Sequence, residues 1–191
     1  MAPSAIDTTS QDTGPTILAL RKVLCTECDD EDLARRFRAL FSLKHLASQK
    51  PPTSQTVPAI QAIAAAFASP SALLKHELAY CLGQTRNEAA VPYLRAVLEN
   101  LNEDPMVRHE SAEALGALGD EGSLELLRRM LKDESVDVRE TCEIAIERIE
   151  WEASKAHREE KLKKRCVYIW SHKALLLKYC LANYSIATSR R

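Results

Sequence analysis

Aromatic residues make up only 5% of this 191-residue chain, and glycine occurs five times. Scarce aromatics and the lack of strand-like alternation argue against a sheet-based core, whereas plentiful Ala and Leu favour closely packed helices. The charges nearly cancel, 26 Lys and Arg against 27 Asp and Glu. A net charge of -1 excludes a global field that would recruit nucleic acid or an anionic membrane. No apolar run approaches the ~20 residues needed to span a bilayer. The most apolar late stretch, Cys166 to Ala187, is interrupted by His172, Lys173 and Lys178. The first sixteen residues are polar and lack an apolar signal core, so a secretory leader is not expected and a cytoplasmic location is. Also missing are a Gly-rich phosphate loop, a Ser/His/Asp spacing and a Cys/His nucleophile arrangement.

What is present is the profile of a soluble globular protein, 46% hydrophobic and 28% charged, with length enough for one sizeable core. Six cysteines are spread through helical segments and read as reduced thiols. Cys25 and Cys28 form a C-x-x-C, but no second Cys/His pair completes a zinc site and no βαβ pattern surrounds it, which favours a structural reading.

Laying the chain on itself reveals a repeat. A shift of 33 residues puts Leu74 on Val107, Leu82 on Leu115, Gly83 on Gly116, Asn87 on Asp120, Leu94 on Leu127 and Leu98 on Leu131. The frame continues 31 residues on at Val138, Cys142, Ala145 and Ile146, and reaches back to Ala39, Ser42 and Leu43 across a longer loop containing Pro51-Pro52. The chain therefore reads as four hairpins of a helix A followed by a helix B. The A helices are expected near 16–25, 57–68, 90–100 and 122–132, and the B helices near 32–47, 71–84, 105–118 and 135–152. Ser69-Pro70-Ser71 and Asn102-Glu103-Asp104-Pro105 mark helix starts, and Pro58 and Pro92 sit in first turns. Gly83, Gly116 and Gly119 fall at B-helix ends, where glycine can take the left-handed cap. One hairpin cannot bury its own apolar face, so the units are expected to stack into an all-α solenoid of the HEAT or armadillo kind, about four helix pairs long. The domain layout is a disordered segment 1–15, a repeat domain 16–152 and a tail 153–191 that is basic, then apolar.

Two consecutive B helices carry a His-Glu pair at one register, His76-Glu77 and His109-Glu110. Leu74, Leu78, Cys81 and Leu82, and then Val107, Ser111, Ala114, Leu115 and Leu118, define the buried stripe of each helix. The histidine lies roughly 175° from the stripe's centre and the glutamate roughly 85° to one side. Stacked B helices stand about 8–10 Å apart, so the pairs should be neighbours on one surface. Imidazole and carboxylate donors together suit iron, manganese or zinc, as in carboxylate-bridged di-metal sites of helical bundles. The flanking repeats have Phe37-Arg38 and Glu140-Thr141 instead, so the pair is not needed to build a B helix. Two readings fit the spacing: a metal cluster, or exposed surface dipeptides copied by duplication. His45, His157 and His172 read as surface residues, and Lys161 to Arg165 as a solvated extension.

Arg36 to Leu43, Leu73 to Gln84, Pro105 to Gly116, Glu140-Thr-Cys142 and Glu150-Trp151 resemble the amino-terminal half of deoxyhypusine hydroxylase, over approximately residues 16 to 153. The resemblance implies a HEAT-repeat monooxygenase with a non-haem di-iron centre, two Fe2+ per complete site. Such an enzyme uses O2 to hydroxylate the deoxyhypusine side chain of a translation initiation factor to hypusine. It also implies that His76, His109 and Glu110 are metal ligands, and that Glu77 is a ligand or a catalytic carboxylate facing the substrate's amines. The family has two similar halves with four His-Glu pairs and the irons between them; this chain has two pairs and continues as Ala153 to Arg191 without another. It therefore reads as a truncated form, from a gene model, a retained intron or an alternative transcript. Two functions stay open. One is a hydroxylase completed by a homodimer or a separate second half, with a protein substrate and neither nucleic acid nor membrane as partner. The other is a non-catalytic HEAT module that binds a protein. The apolar face of the last B helix near Ile146 and Ile149 has two expected fates: the tail segment Val167 to Leu181 folds over it, or it stays exposed and drives association or aggregation.

Overall fold

The computed structural model describes residues 15–26, 33–155 and 159. Cys28, the basic run at 161–165, His157, His172 and the expected capping segment lie outside the described residues, as does the expected disordered start up to residue 14. The chain divides into two compact units, Met1–Ile149 and Glu150–Arg191. In the second, residues 150–155 are helical and the Lys155 ammonium lies 5.2 Å from the centre of the Trp151 ring.

The first unit is a stack of helix pairs, without a strand among the described residues. Its A helices are α1 (Pro15–Leu24), α3 (Thr56–Ala64), α5 (Val91–Glu99) and α7 (Leu124–Met130). Its B helices are α2 (Leu33–Ala47), α4 (Ala72–Gln84), α6 (Pro105–Leu118) and α8, which occupies residues 136–149 of this unit. Single 3-10 turns extend α3 and precede α5 and α7. α1 packs on α2, α3 lies against α2 and also touches α4, and α5 packs on α6; α2, α4 and α6 pack in sequence, with α4 against α6 the most extensive contact.

The helix starts follow local chemistry. Ser71 accepts a hydrogen bond from the Leu74 amide and Asp104 from the Met106 amide, each satisfying a donor that the first turn leaves open. Pro105 begins α6, where its missing N–H costs nothing. Between the layers runs one apolar core including Ile17, Leu24, Leu40, Leu43, Ile60, Ile63, Leu74, Leu78, Leu82, Leu94, Leu98 and Leu115.

The expectation for the glycines is corrected in part. Gly119 does take the left-handed cap after α6, with φ 70°. Gly83 and Gly116 remain helical and serve close packing instead. A Cβ on Gly83 would stand 2.8 Å from the Ala114 Cβ, and one on Gly116 would stand 2.9 Å from the Ala145 Cα, closer than real Cβ atoms come. The position that matches Gly119 one repeat earlier is Arg86, and it holds the left-handed conformation too, with φ 49°.

Candidate metal centre

The close approach of α4 and α6 at Gly83 draws their preceding turns together, where the His-Glu pairs lie. His76 Nε2 stands 3.2 Å from Glu110 Oε2, across the helix interface. The rings of His76 and His109 are 5.8 Å apart at their centroids and tilted by 44°. One nitrogen from each histidine and one oxygen of Glu110 lie within 4.8 Å of one another. Three of the four expected residues are thus brought into one donor cluster. Glu77 is not part of it; its Oε1 lies 3.5 Å from the other nitrogen of His76, Nδ1.

Burial separates the two glutamates. The Glu110 side chain is 8% exposed, whereas that of Glu77 is 28% exposed. The helical-wheel angle placed both beside the buried stripe, and the stripe is buried as expected apart from the half-exposed Leu118. The wheel omits the neighbouring B helix, whose packing covers the flank that carries Glu110. That burial pushes the Glu110 carboxyl above the ordinary carboxylate range, against the pull of His76 and with the repulsion of Glu113 and Glu77. Burial, followed by the His76 ring, pushes His109 below the ordinary histidine value; Glu113 and Asp137 oppose this. His109 therefore presents a neutral imidazole, the form that donates a lone pair to a metal.

These donors fit a transition-metal ion. Two imidazoles and one carboxylate are the set that holds non-haem Fe(II) with open positions. The 3.2 Å gap between His76 Nε2 and Glu110 Oε2 matches the edge between adjacent ligands, roughly 3 Å when the metal bonds are about 2.1 Å.

One set of residues supporting the site was missed from the sequence. Each is a basic side chain immediately before the site register: Arg36, Lys75, Arg108 and Arg139. Arg36 donates to the Leu24 carbonyl and to Ser69 Oγ. Lys75 pairs with Glu103, Arg108 with buried Asp133, and Arg139 donates to the Asp133 carbonyl. These side chains bind the B helices to the loops that begin B helices, holding the register that aligns the His-Glu pairs. Their recurrence beside the pairs was the available signal. The other described histidine, His45, is exposed near the end of α2. Cys25 is an exposed free thiol, whereas Cys81 and Cys142 are buried.

A family model for HEAT repeats matches residues 58–147. Deoxyhypusine hydroxylase of Neosartorya fischeri is 64% identical over 166 residues, covering 85% of this chain and 48% of that protein. The Coccidioides immitis protein of that name is 71% identical over 147 residues, covering 76% of this chain and 43% of its own length. The chain is a partial homologue of deoxyhypusine hydroxylase. The solved structure of human deoxyhypusine hydroxylase in complex with glycerol aligns with a TM-score of 0.65 at 44% identity, over 73% of this chain and 45% of that one. The chain spans about half the length of the curated deoxyhypusine hydroxylases it matches. No described helix is long and apolar enough to cross a membrane.

Proposed function

We propose that this chain supplies one metal-binding half of a deoxyhypusine hydroxylase, an iron-dependent monooxygenase acting on a translation initiation factor in the cytoplasm. The observation that carries the reading is the cluster of His76, His109 and Glu110 on two adjacent B helices of a deoxyhypusine hydroxylase homologue. In this reading those three side chains hold one iron, and a matching triad from a second copy or a separate second half provides the other. Iron bound there supplies the activation of O2 for hydroxylation of the deoxyhypusine side chain. His109, neutral through burial, and His76 donate nitrogen lone pairs. Glu110 donates a carboxylate that is buried and held 3.2 Å from His76 Nε2 across the helix interface. Glu77 stays outside the donor set and more exposed, a carboxylate available to a cationic amine of the substrate.

Anaerobic reconstitution with Fe(II), followed by metal analysis and size-exclusion chromatography, tests the reading. The expected result is one iron per chain, lost in His76→Ala and His109→Ala, with hydroxylation of a deoxyhypusine-bearing protein only in the assembled form. A monomer that takes up no iron would leave the chain a HEAT-repeat binding module.

A further inference from the structure

The two His-Glu pairs share a register but not an environment. Glu110 turns across the helix interface toward His76 Nε2, whereas Glu77 stays on the side of its own neighbour, facing His76 Nδ1. His76 is thus flanked by carboxylates, one at each ring nitrogen. A metal bound at Nε2 beside Glu110 requires the ring proton to sit on Nδ1. That atom is buried from solvent and has no hydrogen-bond partner. A buried N–H without an acceptor is costly, and metal-binding imidazoles commonly donate their second N–H to a carboxylate that fixes ring orientation and raises donor strength. Glu77 Oε1, at 3.5 Å, needs to move only a few tenths of an ångström to accept it.

We propose that Glu77 is a positioning residue: one of its oxygens accepts the His76 Nδ1–H and so holds the Nε2 lone pair toward Glu110 and the metal. The other oxygen remains free for substrate. The duplicated dipeptide then performs two tasks, Glu110 as donor to the metal and Glu77 as support for the histidine beside it. This rests on the metal site proposed above.

Zn2+, a diamagnetic probe, tests it through binding and through the nitrogen NMR signals of the His76 ring. Zn2+-loaded wild type should show a slowly exchanging Nδ1–H on His76. Glu77→Ala should weaken Zn2+ binding about 10–100-fold and lose that protected proton. Glu77→Gln, which keeps an acceptor oxygen, should recover most of the affinity and the proton signal. If Glu77→Ala binds Zn2+ as wild type does and keeps the protected Nδ1–H, the positioning role is overturned while the site stands. If instead wild type binds no Zn2+, or His76→Ala binds it equally well, the metal site itself falls and the role of Glu77 falls with it.

Discussion

His76 on α4 and Glu110 on α6 meet across a helix interface, Nε2 to Oε2 at 3.2 Å, although 34 positions separate them in the chain. Everything assigned to the metal centre depends on that approach, and it can be tested independently of catalysis.

Metal should stabilise the fold through this pair. Ligand that binds only the folded state adds RT ln(1 + [L]/Kd) to stability. Wild type is expected to melt at higher temperature with Fe(II) under anaerobic conditions, and Glu110→Gln to show no such gain. The metal-free Glu110→Gln protein should stay within about 1 kcal/mol of wild type, because losing a buried charge offsets losing its attraction to His76. An unchanged metal response in Glu110→Gln would remove Glu110 from the donor set.

The spacing of the B helices should depend on Gly83. In Gly83→Ala the new methyl meets Ala114, forcing α4 and α6 apart at a cost of about 1–3 kcal/mol. Metal affinity should fall as well, since His76 and the His109-Glu110 pair sit on opposite sides of that contact. Gly119→Ala, whose Cβ meets nothing within 4 Å, should show only the left-handed strain of about 1–2 kcal/mol and no change in metal affinity. Urea titrations and metal titrations of both variants separate these effects.

Arg86 provides the reverse case. It is exposed and left-handed at the position where the next repeat has Gly119. Arg86→Gly should stabilise the protein by about 0.5–1 kcal/mol, the relief of strain less the added freedom of glycine when unfolded. A destabilised variant would mean that contacts of the Arg86 side chain outweigh the strain.

Within the basic series, Arg108 should matter most. Its guanidinium and the Asp133 carboxylate are both nearly inaccessible, at 6% and 2% exposure. Arg108→Ala strands the buried carboxylate and should cost about 3–5 kcal/mol. Lys75→Ala, whose partner Glu103 is also closer to solvent, should cost less. Equal losses in chemical denaturation would contradict the difference in burial.

The thiols should divide by burial. Desolvation is the main cause pushing Cys81 and Cys142 up to about 12 from 9.0. In the folded protein they therefore keep their protons where the unfolded chain ionises. Because the folded state binds more protons in that window, stability should fall as pH rises from 9.0 to about 12 and be insensitive to these groups below it. Alkylation mapped by mass spectrometry should label Cys25 rapidly and the buried pair only on unfolding. Rapid labelling of Cys81 would disprove its enclosure in the α4 core.

The helix pairs were legible because their signals are local and recur. Apolar spacing, the caps at Ser71 and Asp104 and the proline at the start of α6 act within a few residues, and the 33-residue shift multiplies them. The glycines were harder. A helical glycine needed for contact and a glycine in a left-handed cap look alike in a chain, and only Gly119 is the latter. Arg86 gave no local sign of its conformation, because the turn geometry is inherited from the repeat rather than chosen by the residue.

By itself, the sequence determined that helices stack and that two His-Glu pairs share one register and hence one surface, since helical periodicity and repeat length are properties of the chain. The tertiary structure decided that the pairs are unequal. Packing of α4 on α6 buries Glu110 against His76 and leaves Glu77 more exposed, and the same packing sets which nitrogen of His76 faces the cluster. Burial and interhelical distance arise only when two helices meet, so no reading of either helix alone could have ranked the two carboxylates.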